Sequence, residues 1–143
     1  MERYHVYGIG NALVDIEFRV SPGDLAALRV DKGVMTLVEE NHQAEMMESL
    51  HRQQVYRSAG GSAANTVIAL SQLGGSGFYS CKVANDELGH LYTEDLRGNG
   101  VATNAHERSK PGNTGRCLVL VTEDADRTMC TYLGITGDLG RHE

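Results

Sequence analysis

A chain of 143 residues, 41% hydrophobic and 22% charged, has enough apolar material for one modest core. Thirteen Lys and Arg against nineteen Asp and Glu leave a formal charge of −6, and with no basic run a nucleic-acid groove is not expected. No apolar run approaches the length of about 18 residues that a bilayer demands. The opening MERYHVYGIG, with Glu2 and Arg3, lacks the basic start and long apolar core of a secretory signal. Cys81, Cys117 and Cys130 form an odd set without paired spacing, which favours free thiols in a reducing, cytoplasmic setting over a disulfide framework.

In chain order, YHVYGIG predicts a short buried strand that stops at two glycines. In LVDIEFRV, Val14, Ile16, Phe18 and Val20 alternate with Asp15, Glu17 and Arg19, the period of a half-buried strand with one wet face. SPGDLAAL predicts a turn and short helix with Asp24 near its start, and GVMTLVEE a further short strand. NHQAEMMESLHRQ places Ala44, Met47 and Leu50 on one helical stripe. A helix is expected from the GGSAAN stretch to Leu73, stopped by Gly74 and Gly75. FYSCKV then predicts a buried strand. Leu88, Leu91, Tyr92 and Leu96 share one face of a helix ending near Gly98 and Gly100. GRCLVLV and RTMCTYLG, joined by TEDAD, predict a hairpin. Strands alternating with helices point to a parallel α/β sheet. The alternating strand and the hairpin belong to a separate small sheet, because central parallel strands carry continuous apolar runs.

Three motifs bear on chemistry. GIGNALVD has Leu13 where the third glycine of a dinucleotide-binding turn belongs, so that fingerprint fails. Asn11 and Asp15 at the strand end either grip vicinal hydroxyls, as a carboxylate beside a carboxamide can, or Asp15 simply sits on the wet face. In RSAGGSAANTVIAL, Gly60 and Gly61 can take φ > 0 and bring backbone N–H groups near a ligand. Ser62 is a natural N-cap, and Asn65 lies one turn into the helix. By itself this stretch is also common helix punctuation, and no Lys-Ser or Lys-Thr pair follows to make a Walker loop. The six histidines do not cluster, so no structural metal is expected. TEDAD suits a solvated hairpin turn better than a calcium loop.

Taken together and in order, GIGNALVDI, KGVMTLVEE, AGGSAANTVIALSQLGG, CKVANDELGHLYTEDLRGNGV and NTGRCLVLVTEDADRTMCTYLG resemble the ribokinase-like (PfkB) carbohydrate kinases, and within them the adenosine-kinase-like branch. The resemblance runs from about Val6 to Leu133, with Ala84 where a glycine is usual. It implies a Rossmann-type layered α/β sheet, present in part, with a small β-sheet lid made of strands at about 13–20, 34–38 and 116–133. The remainder of 1–143 would form the α/β body. It further implies that Asp15, helped by Asn11, holds sugar hydroxyls, and that Gly60, Gly61 and Asn65 hold the sugar from the other side. Leu37, Cys117, Met129 and Leu133 would make an apolar wall near the sugar's substituent. A glutamine can stand two positions before the flap leucine in the adenosine-kinase-like pattern. Here Met35 stands there, and the choice of sugar or nucleoside stays open.

The implied reaction is transfer of the γ-phosphate of ATP, with Mg2+, to a primary hydroxyl of a ribose-like sugar or adenosine. In such kinases a Gly-Ala-Gly-Asp turn at a helix start supplies the base and anion hole. Thr136-Gly137-Asp138 follows directly on the hairpin and is expected to be a loop. The base is therefore expected beyond Glu143, along with most of the ATP and Mg2+ contacts, and the chain alone is expected to be inactive. The alternative is a non-catalytic sugar-binding protein, or a homodimer through the lid sheet, since an exposed sheet edge invites pairing.

Overall fold

The computed structural model describes residues 3–105 and 110–143; Glu2 of the amino-terminal segment lies outside them. The elements are β1 (Val6–Ile9), β2 (Leu13–Arg19), α1 (Pro22–Leu28), β3 (Met35–Leu37), α2 (Glu40–Leu50), β4 (Gln54–Gly60), α3 (Ser62–Gln72), β5 (Gly77–Ser80), α4 (Glu87–Gly98), β6 (Val101–Ala102), β7 (Gly115–Val121) and β8 (Arg127–Tyr132). The strands form a three-stranded sheet ordered β1-β5-β6 and a five-stranded sheet ordered β3-β8-β7-β2-β4. The fold is α/β, as the alternation of elements predicts. Two compact units result, one of Met1–Val14, Ser58–Gly115 and Leu133–Glu143, the other of Asp15–Arg57 and Arg116–Tyr132. Helices α1 and α2, which the sequence pattern leaves with the body, therefore fall in the unit of the five-stranded sheet.

In the first unit β1, β5 and β6 are all parallel, with Val6 opposite Gly77 and Gly77 opposite Val101. Tyr79, Ala64, Val67, Tyr92 and Leu96 form its buried core. Strand β1 departs from the expectation of burial, since Tyr7 is 62% and Ile9 60% exposed. The cause is one-sided cover. Helix α3 packs on β1 and β5, and the Gly8 side of the strand faces Val67 of that helix. Tyr7 and Ile9 alternate to the uncovered side, where Tyr7 stacks on Phe78 at 5.0 Å. The two-residue strand β6 has no counterpart among the elements expected from sequence.

In the second unit β7 and β8 pair antiparallel, with Cys117 opposite Thr131 and Val119 opposite Met129, and β3 runs parallel to β8 with Met35 opposite Met129. Ile16, Phe18, Leu25, Met46, Leu50, Leu118, Leu120 and Cys130 form the core, as the alternation along β2 predicts. Ser21 and Asp24 close a capping box on α1. At the hairpin turn Lys32 pairs with Asp124 and, at 3.9 Å, with Asp126. Helix α2 buries Gln43, Met46 and Leu50, not the expected stripe through Ala44 and Met47. The buried glutamine shifts the stripe by one position. Its Nε2 donates to the carbonyls of Arg116 (3.1 Å) and Cys130 (2.9 Å), and its Oε1 accepts from Arg116 Nε at 2.6 Å. Strand β4, which in the sequence is only a lead-in to the glycines, is the fifth strand of this sheet.

Candidate functional site

Of the residues singled out from sequence, Asn11, Gly60, Gly61, Asn65 and Leu133 belong to the first unit, and Asp15, Leu37, Cys117 and Met129 to the second.

In the first unit, Asn11 occupies the exposed turn between β1 and β2. The peptide that joins it to Ala12 is held at both edges. Tyr79 donates its hydroxyl to the Asn11 carbonyl (3.1 Å), and the Ala12 N–H donates to Thr136 Oγ1 (2.7 Å). Gly60 ends β4 and is buried; Gly61 has φ = +96° and is itself the N-cap of α3. Ser62 is thus the first helical residue, not the expected cap, because the positive φ of Gly61 already turns the chain into the helix. A Cβ on Gly61 would lie 2.8 Å from the Asn11 carbonyl oxygen, so only glycine lets these two segments meet. Asn65 is exposed one turn on, its N–H bonded to the Gly61 carbonyl at 2.9 Å.

Helix α4 fixes the approach to this turn. Asp95 Oδ2 accepts from the Ala59 N–H at 2.6 Å, and the Tyr92 hydroxyl donates to the Gly60 carbonyl at 3.0 Å. Sequence reasoning missed these contacts, although a tyrosine on a buried helix face signals a hydroxyl in need of a partner. Leu133, half-buried, lies past the end of β8. The stretch holding Thr136-Gly137-Asp138 is a 3-10 turn over Gly134–Asp138, not the plain loop expected. Thr136 is fully buried there, and the Asp138 carbonyl accepts from Lys82 Nζ at 3.0 Å.

In the second unit, the register places Cys117, Val119, Met129, Thr131, Met35 and Leu37 on one face of the sheet. Three of the four predicted wall residues are therefore brought together. Cys117 is buried and Met129 half-buried, while Leu37 is 60% exposed. Asp15 is half-buried on β2, and burial pushes its carboxyl up to about 6 against the opposing pull of Arg127. Burial, with the charges of Asp15 and Cys130, lifts the Cys117 thiol to about 11, partly offset by a hydrogen bond from Thr131. The Asp15 carboxylate therefore lies close enough to Cys117 for its charge to oppose ionisation of the thiol. A carboxylate kept half-dry beside an apolar face is a strong acceptor for hydroxyl donors and a poor place for a cation-free charge. Among the described residues no three His, Cys, Asp or Glu side chains come together to hold a metal ion, and no helix is long and apolar enough to cross a membrane.

Residues 30–143 match the family model described as pfkB family carbohydrate kinase. Among solved structures, the chain is 37% identical to a "probable sugar kinase protein" from Rhizobium etli (TM-score 0.85, covering 98% of this chain and 42% of that one). It is 38% identical to adenosine kinase from Sinorhizobium meliloti (TM-score 0.83, covering 97% and 42%). A fructokinase of Solanum tuberosum is 30% identical over 83 residues, 58% of this chain and 26% of the fructokinase. The chain thus spans about a quarter of that relative and well under half of the two solved proteins.

Proposed function

The chain belongs to the pfkB family of carbohydrate kinases, and we propose that it is the acceptor-gripping part of a kinase that moves the γ-phosphate of ATP to a primary hydroxyl of a ribose-like sugar or of adenosine. Asp15 accepts hydrogen bonds from the sugar hydroxyls, and the Asn11 amide donates or accepts beside them. The turn at Gly60 and Gly61 lays backbone against the sugar, with Asn65 adding a side-chain amide. Leu37, Cys117, Met129 and Leu133 cover the apolar side of the ligand. The observation that carries this reading is Asp15, a carboxylate held half-buried with its pKa at about 6. Ionised at neutral pH in a partly dry setting, it favours a ligand that donates two hydroxyls over bulk water.

The phosphoryl donor and its Mg2+ enter only through the family. The 3-10 turn at Gly134–Asp138 has Thr136 committed to the Ala12 N–H, which does not fit a cradle for a triphosphate. The five-stranded sheet is the proposed lid, excluding water while the acceptor is held. Positioning the acceptor in this way can account for much of a kinase's rate, on the order of 7–11 kcal/mol in favourable cases.

Calorimetric titration with adenosine, ribose and fructose tests the reading. Asp15→Ala is expected to weaken the best of these at least tenfold, and unchanged affinity refutes the role. Transfer of label from γ-labelled ATP to the same three compounds reports whether the chain also turns over. A second reading, dimerisation through the lid, is favoured by the apolar edge strands: Met35 is 55% exposed on β3, and Tyr56 59% on β4. Sedimentation equilibrium separates it, since a chain that stays monomeric at high concentration excludes it.

A further inference from the structure

Two wholly buried tyrosines, Tyr79 on β5 and Tyr92 on α4, each donate a hydroxyl to one carbonyl of the proposed cradle: Tyr79 to Asn11 and Tyr92 to Gly60. We propose that Tyr79 and Tyr92 are positioning residues for acceptor binding, which fix the backbone that carries Asn11 and the direction of the Gly61 N–H without touching the ligand. The proposal rests on the sugar-binding reading above.

The geometry is that of the trans peptide, in which C=O and N–H point in opposite directions. No described peptide is cis. The carbonyl of Gly60 and the N–H of Gly61 belong to one such unit, so a hydroxyl anchored on the carbonyl aims the N–H away from α4. A hydrogen bond to the carbonyl also polarises the peptide and makes its N–H a stronger donor. The Asp95 carboxylate fixes the preceding Ala59 N–H, which leaves the strand no freedom to rotate just before the glycines. The Asn11–Ala12 peptide is likewise pinned, by Tyr79 on one edge and Thr136 on the other. Space agrees with this. A Cβ on Gly10 would sit 2.9 Å from the Tyr79 hydroxyl and 3.2 Å from Ala63 Cβ, so the hydroxyl is seated directly under the turn that presents Asn11. Burial pushes the Tyr79 hydroxyl up to about 12, which keeps it a donor across the working pH range.

Tyr92→Phe and Tyr79→Phe each delete one oxygen and keep the ring packing. The test measures their affinity for adenosine, ribose and fructose, and the amide shifts of Gly61 and Ala12 in 1H–15N spectra of the unliganded chain. The expected result for Tyr92→Phe is a displaced Gly61 amide and a roughly three- to tenfold weaker ligand, at a temperature where the variant is still fully folded. Tyr79→Phe should move the Ala12 amide and weaken binding to a similar extent. Wild-type affinity in either variant, or a Gly61 amide that stays in place in Tyr92→Phe, overturns the proposal alone. A wild-type chain that binds none of the three compounds refutes the sugar-binding reading, and the proposal falls with it.

Discussion

Replacing Asp15 by Asn removes an ionisation that the folded chain opposes. Burial raises this carboxyl from 3.8 to about 6, so between those values the folded state holds a proton that the unfolded state has released. A group of this kind supports folding while it is protonated, and that support is lost as pH rises through about 6. A rise of that size corresponds to at most about 3 kcal/mol, and solvent access to a half-buried group reduces this to about 2 kcal/mol. An asparagine of the same shape never ionises. At about pH 7.5 the Asp15→Asn chain should therefore be the more stable by about 2 kcal/mol, roughly 6–8 °C in Tm, and at about pH 4 the two should be nearly equal. Urea denaturation of both proteins at both pH values gives a double difference in which all other titrations cancel. That includes Asp124, which Lys32 and Thr122 hold down to about 2. A stability gap that is the same at both pH values refutes the argument. The same substitution should weaken sugar binding, and wild-type affinity should fall as pH drops through about 6. Stability gained with binding lost is the pattern of a residue kept for its chemistry.

Gln43→Leu should cost about 3 kcal/mol in urea denaturation, because the carbonyls of Arg116 and Cys130 and the Arg116 Nε lose their buried partner; a loss below about 1 kcal/mol refutes the role of the amide as a clip between β7 and β8. The three thiols are buried, with Cys81 raised to about 12, Cys117 to about 11 and Cys130 also raised, all by burial first. A thiol-specific disulfide reagent at mildly alkaline pH should find no reactive cysteine in the native chain and all three after unfolding. Rapid reaction of any one in the native state contradicts the burial.

What could be read from the sequence were the features written in period and punctuation. The alternation from Val14 to Val20, the Ser21–Asp24 start of α1, the hairpin and the glycine turn before α3 all follow from local chemistry, and the structure has each of them. What escaped depends on partners remote in sequence. Gln43 is polar, so apolar periodicity skipped it, yet it is buried because strands 73 and 87 residues away supply its hydrogen bonds. Tyr7 and Ile9 look like core residues, and only the placement of α3 on the other side of β1 tells that they are exposed. Within the candidate site the polar residues were named from motif order, whereas the buried hydroxyls of Tyr79, Tyr92 and Thr136 that hold the backbone behind them carry no local signature. The grouping of Leu37, Cys117 and Met129 on one face comes from strand register, which no single segment encodes.

The parallel pairing of β3 with β8 joins Met35 to Met129, 94 residues later in the chain. During synthesis at about 5–20 residues per second, β3 waits roughly 5–20 s for the strand it lies against, its methionine and leucine in water meanwhile. Pairing at such separation also makes folding slow, since loop closure precedes any return from contact. Pairing of β3 thus awaits the arrival of the hairpin, and a nascent chain halted before β8 would present β3 to chaperones or to other unfinished chains.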